Sequence, residues 1–247
     1  MTAEPIAACG IAAVTVDLDD TLFPQASWLD GAWDAVAGAG ETLGLDPHML
    51  RRSLAAIAAS GSDGGRIIDR ALAAIGCSDV DLPALTPGLV AAFRAHAPLH
   101  LDCYSGVEAA LALVRAQVPV ACITDGDPHI QRSKLRALGL ADSFDAVVFS
   151  DEIGRQFRKP HPAPFLRALD LLGVRAHETV HVGDRPAKDV AGPGAIGMRA
   201  VRVRTGEYAG QSGDAAGTKP WQTFDDAARA LTAIAALLAG EDQPALR

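Results

Sequence analysis

Asp17-Leu18-Asp19-Asp20-Thr21 places three carboxylates and a hydroxyl directly after the apolar run Ala12–Val16. A helix cap or a polar turn accounts for one aspartate at such a place, not for three. Crowded carboxylates raise one another's pKa unless a cation joins them. Gly183-Asp184-Arg185-Pro186-Ala187-Lys188-Asp189 brings two more acids after the run Thr179–Val182, with Gly183 permitting close backbone approach. That stretch also reads as a helix start, with Asp184 as cap and Pro186 in the first turn. Thr124-Asp125-Gly126 follows Val118–Ile123 and offers a hydroxyl and backbone N–H groups that can hold an anion. Arg158-Lys159-Pro160 supplies a lysine after a further apolar run. Singly, a routine turn or a solvated lysine explains the last two. Together they join oxygen ligands of the kind Mg²⁺ takes with a lysine and anion donors, a set suited to a phosphoryl group in transfer.

The elements that must position these groups follow from the apolar spacing. Five short runs rich in Val, Ile and Ala predict buried strands: Ile11–Val16, Val118–Ile123, Ala146–Phe149, Thr179–Val182 and Ala200–Val203. Helices are expected over Ser105–Gln117, where Val107, Ala110, Leu111 and Val114 share one face, over Gln131–Leu138 and over Pro162–Leu172. Strand alternating with helix argues for a parallel sheet with right-handed crossovers. Ligands of such sheets bind at the carboxyl ends of the strands, where all four clusters stand. Residues 23–98 carry no strand pattern and read as about four helices: Ser27–Thr42, Pro47–Ser60, Gly65–Ile75 and Pro87–His96. A single crossover needs far fewer residues, so this stretch is an insert between the first and second strands. Gly206–Lys219 reads as an exposed loop, Phe224–Leu238 as the last helix, and Glu241–Arg247 as a fraying end.

Composition narrows the function. With 49% hydrophobic and 21% charged residues in 247 positions, the chain suits one sizeable domain or a core plus a smaller one. Only 5% aromatics and a net charge of −8 disfavour nucleic acid and anionic membranes as partners. No apolar run approaches the ~18 residues of a spanning helix. Met1–Gly10 lacks a positive residue ahead of its apolar stretch, so a secretory signal is not expected. Cys9, Cys77, Cys103 and Cys122 show no C-x-x-C spacing, which reads as free thiols in a cytoplasmic protein and not as a zinc site.

The set of clusters resembles the four signature motifs of the haloacid dehalogenase-like superfamily. Asp17-Leu18-Asp19-Asp20-Thr21-Leu22 is similar to its D-x-D-x-T motif, Thr124 matches the second motif, Lys159 the third, and Gly183-Asp184 with Asp189 the fourth. Asp19 separates the chain from the true dehalogenases, which resemble D-x-Y there. Position 20 is Asp where many members carry Gly, and position 125 is Asp where Asn is frequent. The resemblance implies an α/β fold: a three-layer, Rossmann-like parallel-sheet core over 1–22 and 99–247, with a helical cap domain over 23–98 inserted after the first strand. It implies Asp17 as nucleophile forming an aspartyl-phosphate and Asp19 as acid and then base. Mg²⁺ would be held by Asp17, Asp184 and the Asp19 carbonyl. Thr124, Asp125 and Gly126 would bind phosphoryl oxygens, Lys159 would neutralise the nucleophile, and Asp189 would orient Lys159 or the metal's water.

The expected function is a Mg²⁺-dependent phosphatase of a small phosphorylated metabolite. The alternatives are a phosphomutase of the same fold, or a non-catalytic ligand-binding or regulatory protein. Specificity is expected in the cap, where Arg66 or Arg70 could read an anionic part of the substrate, with hinges near Phe23–Pro24 and Pro98–Cys103. His181, inside an apolar run, reads as a packed core histidine.

Overall fold

The computed structural model of the chain describes residues 10–61, 65–211 and 219–240. The readings of Cys9, of the extreme N-terminus and of Glu241–Arg247 lie outside them.

Six parallel strands form one sheet in the order β3-β2-β1-β4-β5-β6. They are β1 (Ala13–Val16), β2 (Val120–Thr124), β3 (Ala146–Phe149), β4 (Thr179–Gly183), β5 (Arg199–Val203) and β6 (Gln222–Phe224). The nucleophile candidate thus follows a central strand, with Val16 level with Cys122 on one side and Val182 on the other. Side chains alternate between two cores, as strand geometry requires. Val14, Val16, Val120 and Cys122 pack with α5 (Val107–Arg115) and α10 (Ala227–Leu238). Ala121, Ile123 and Val148 pack with Phe165, Ala168 and Leu169 of α8 (Ala163–Leu172). Burial on both faces explains why these strands read as continuous apolar runs.

The insert folds as four helices: α1 (Gln25–Thr42), α2 (Pro47–Ala59), α3 (Ile67–Ala74) and α4 (Leu82–Ala95). They enclose an apolar cluster of their own that includes Trp33, Val36, Leu50, Leu54, Leu72 and Leu89. Each fully buried leucine there contributes roughly 1.5–3 kcal/mol. Arg51 ties α2 to α1 through Asp34 and Asp30, at 2.6 and 3.0 Å. Three boundaries differ from expectation. Helix α4 begins at Leu82, with Pro83 in its first turn, and carries Pro87 inside on its exposed side. Helix α6 (Pro128–Ala137) begins three residues before Gln131, because Asp127 caps it by accepting from His129 N at 2.9 Å. Phe224 ends a short edge strand, and α10 starts at Ala227 behind the cap Asp226. A three-residue polar edge strand leaves no apolar run to read. No helix among the described residues is long and apolar enough to cross a membrane.

Candidate active site

The four clusters meet at one edge of the sheet. Asp17 N donates to Val182 O at 2.9 Å, which extends the β1–β4 pairing by one residue and brings Asp17 beside Asp184. Lys159 is buried, with Nζ 2.5 Å from Asp17 Oδ1 and 2.7 Å from Asp189 Oδ1. Its loop is fixed on both flanks: Arg158 grips Asp151 through two bonds of 2.5 and 2.6 Å, and Lys159 N donates to Asp125 Oδ1 at 3.1 Å. Gly183 is required because a Cβ there would lie 2.4 Å from Asp189 Cβ. Asp184 does not cap a helix: Pro186–Val190 forms a wide π turn that carries Asp189 back under the strand end.

Burial dominates the electrostatics. It pushes the Asp17 carboxyl up to about 7, with the charge of Asp189 adding and Lys159 opposing. Burial and the charges of Asp189, Asp17 and Asp20 push Asp184 up to about 9. Burial also opposes the Lys159 charge, but Asp17 and Asp189 outweigh it and hold its pKa above the ordinary value. Asp189 is likewise buried, yet Lys159 and His181 carry it well below the carboxylate range. His181 is kept neutral by burial. Fully ionised, the three carboxylates within 4.8 Å would face one ammonium, an excess of two negative charges that the raised pKa values of Asp17 and Asp184 relieve.

A divalent cation fits that excess. Asp184 Oδ2 is buried with no hydrogen-bond partner, and its Oδ1 has only the Thr21 hydroxyl at 3.2 Å, which is shared with Asp17 Oδ2 at 3.4 Å. Asp189 is not available, since Oδ1 accepts from Lys159 and His181 and Oδ2 from Arg185 N. Asp17 and Asp184 are the side chains with oxygens to give, and all-oxygen ligation suits Mg²⁺. The thiols of Cys103 and Cys122 are pushed up by burial and stay protonated.

Other expected residues fall differently. Asp19 turns away from the crowded acids. Its Oδ1 accepts from Lys134 Nζ at 2.6 Å and its Oδ2 from Gln131 Nε2 at 2.7 Å. Crowding therefore acts on Asp17 and Asp184. Neither Gln131 nor Lys134 was marked by the sequence. The available signal was two polar residues at i and i+3 on an amphipathic helix, on the face that packs inward. Thr124 is buried, and its hydroxyl accepts from Gln131 at 2.5 Å. The Asp125 side chain is a brace: its oxygens accept from Ser150 Oγ, Lys159 N and Lys188 Nζ. Against burial, the Gly126 N–H is among the groups that hold the Asp151 carboxyl below its ordinary range, after Arg158 and Arg155. His181 is a core residue, as expected, but not an inert one. With Asp189 accepting from Nε2 at 3.3 Å, Nδ1 accepts from Thr15 Oγ1 at 2.9 Å.

Asp20 explains why glycine suits position 20. Its backbone is left-handed, with φ of 57°, a conformation aspartate tolerates better than most residues. Its carboxylate accepts from Gln25 N at 2.9 Å and Glu207 N at 3.3 Å, which latches the start of the insert to the Gly206–Tyr208 turn.

Above the strand ends lies a cavity of about 540 Å³, closed by the core on one side and the insert on the other. Asp17, Asp19, Lys159 and Asp184 line its floor. Arg66 lines its far wall but is paired with Asp69 at 2.8 Å. Arg70 is not among the lining residues, and its guanidinium lies 3.4 Å from Ser60 Oγ.

A family model described as haloacid dehalogenase-like hydrolase matches residues 11–197. A glyceraldehyde 3-phosphate phosphatase of Methanopyrus kandleri is 35% identical over 204 residues, 80% of this chain and 86% of the relative. A phosphoglycolate phosphatase of Rhodospirillum rubrum is 35% identical over 202 residues, 78% of this chain and 80% of the relative. The solved 2-haloacid dehalogenase from Pseudomonas syringae pv. Tomato is 28% identical, with a TM-score of 0.62 over 93% of this chain and 99% of its own. The chain belongs to the haloacid dehalogenase-like hydrolase family, and within it to the phosphoric monoester hydrolases.

Proposed function

We propose that the protein hydrolyses a small phosphomonoester in two steps through a covalent phosphate on Asp17, with Mg²⁺ as cofactor. The observation that carries this is the Asp17–Lys159 contact of 2.5 Å beside the partnerless Asp184 oxygen, a nucleophile and a cation site at one point. Bound between Asp17 and Asp184, the metal would supply charge for the phosphoryl oxygens. Asp17 attacks phosphorus and the bond to the ester oxygen breaks. Asp19, having taken up the proton that a phosphomonoester monoanion carries in, gives it to the departing alkoxide, which leaves as the alcohol. A water then passes a proton to Asp19 and attacks the same phosphorus. The Asp17–phosphorus bond breaks, and inorganic phosphate and the Asp17 carboxylate are released. Lys134 and Gln131 hold Asp19 for both transfers. Lys159 balances the nucleophile, and Thr124 keeps its own hydroxyl hydrogen to donate to a phosphoryl oxygen. Residues 23–98 act as a cap that excludes water while the cavity is closed.

Acid quenching during turnover, followed by borohydride reduction and mass analysis, should convert residue 17 to homoserine. Asp17→Asn should abolish both this product and phosphate release. Full turnover with an unmodified residue 17, or near-normal activity of Asp17→Asn, would refute the covalent route.

A further inference from the structure

The wall of the cavity that faces the strand ends differs in kind from its floor. Trp28, Leu29, Trp33, Ile67, Val90 and Phe93 make it apolar. Phe93 stacks on Trp33 with centroids 5.0 Å apart and meets Trp28 edge-on at 5.1 Å. A chain with only 5% aromatics thus places two of its three tryptophans on this wall. The charged groups of the wall are spent on one another. Asp69 accepts from Arg66 at 2.8 Å and from Thr86 at 2.8 Å, and Arg94 lies 3.7 Å from Asp127. Of the two arginines expected to read an anionic substrate group, Arg66 is matched by Asp69 and Arg70 does not line the cavity, and the pairs Arg66–Asp69 and Arg94–Asp127 leave the far end without net charge for a second anion.

We infer that the organic part of the substrate is uncharged and apolar, an alkyl or aryl group on the ester oxygen that fills the space between Asp19 and the aromatic wall. This deepens the phosphatase reading and rests on it. A short polar phosphate would leave most of about 540 Å³ unfilled, and pockets of ~300–1,000 Å³ suit far larger molecules. A charged organic part would desolvate against the aromatic wall without a partner.

The test is kcat/KM over n-alkyl phosphates from methyl to hexyl, whose leaving groups differ little in basicity. Phosphoglycolate, glyceraldehyde 3-phosphate and p-nitrophenyl phosphate are measured alongside, with Mg²⁺ present. kcat/KM should rise about fourfold per added methylene until the cavity is filled. Val90→Asp and Ile67→Asp, each adding a carboxylate to a half-buried wall position, should lower the hexyl-to-methyl ratio. Should neither variant fold, the wild-type series decides alone. A flat or falling series, or a preference for phosphoglycolate over hexyl phosphate, would overturn this inference and leave the phosphatase reading standing. In that case a substrate carboxylate would be read at the exposed Arg155 on the rim. No hydrolysis of any ester, p-nitrophenyl phosphate included, would overturn both.

Discussion

Lys134 Nζ lies 2.6 Å from Asp19 Oδ1 and 4.7 Å from the centre of the Trp28 ring, so one buried ammonium joins a core acid to the first helix of the insert. The lysine is only 3% exposed, and its charge is met by the carboxylate and the π face. Lys134→Met should lower kcat about 10–100-fold by freeing Asp19 from its position, against about 10²–10⁴-fold for Asp19→Asn. The double variant should be no slower than Asp19→Asn alone, because the lysine acts through the acid. Steady-state kinetics of the four proteins checks this. Additive losses would mean that Lys134 acts elsewhere.

Asp184 should govern both metal affinity and metal-free stability. Excess chelator should abolish activity and added Mg²⁺ should restore it. Asp184→Asn should bind Mg²⁺ far more weakly. Without metal, the same substitution should change Tm little at pH 7, where Asp184 is already held protonated, and raise it above about pH 9, where the wild-type carboxyl would ionise; each kcal/mol is worth about 2–4 °C in a protein of this size. Mg²⁺ should stabilise the wild type and not the variant. Calorimetry with and without the ion reads both effects, and a wild type that Mg²⁺ fails to stabilise would remove the metal assignment.

His181 should make the fold acid-sensitive. Burial lowers its pKa below the ordinary 6.5, so the unfolded chain takes up a proton before the folded one does. Its contribution is complete above about pH 6.5 and is lost as pH falls through the window below that value. Protonation would also turn Nδ1 from acceptor to donor against Thr15. Tm measured across this range should fall less steeply for His181→Gln than for the wild type. Identical slopes would place the acid sensitivity in other groups.

Gly183→Ala should be among the most damaging single-methyl changes in the chain. The added Cβ meets Asp189 at 2.4 Å, where the backbone and a buried carboxylate have no room to yield. Overpacking of this kind costs about 1–3 kcal/mol. The displaced Asp189 would release Lys159 as well, so activity should fall further than stability. A folded Gly183→Ala protein with wild-type kcat would show that Asp189 is not needed to hold the lysine.

The floor of the site was legible in the sequence because parallel strands buried on both faces announce themselves as apolar runs. The residue after each run must then stand at one sheet edge. Asp17, Thr124 and Asp184 follow from that rule, whereas Lys159 and Asp189 stand further into their loops and were marked by the resemblance to the family motifs. What was not legible depends on which way a side chain turns. Asp19 was expected to share the acid cluster and instead faces Gln131 and Lys134, a choice made by the rotation of α6 against the sheet. The bracing role of the Asp125 side chain was equally hidden, because its three donors stand 25 to 63 positions away. Arg66 is neutralised by Asp69 at i+3, a spacing the sequence does carry; the second hold on Asp69, from Thr86 of α4, is settled by packing between α3 and α4.

The order of the strands has a consequence for the chain as it is made. Strand β1 emerges early from the ribosome, yet its second neighbour, β4, arrives only after Thr15 and His181, 166 positions apart, have both been synthesised. At typical rates of ~5–20 residues per second, one edge of the central strand waits about 8–30 s for its partner. An unpaired edge of this kind invites association with other chains. The four insert helices lie in that interval and carry a core of their own, so they can fold while the strand waits. The acids and the lysine come together only when β4 closes the sheet. A chain that stops before β4 lacks Asp184 and Asp189 and should release no phosphate.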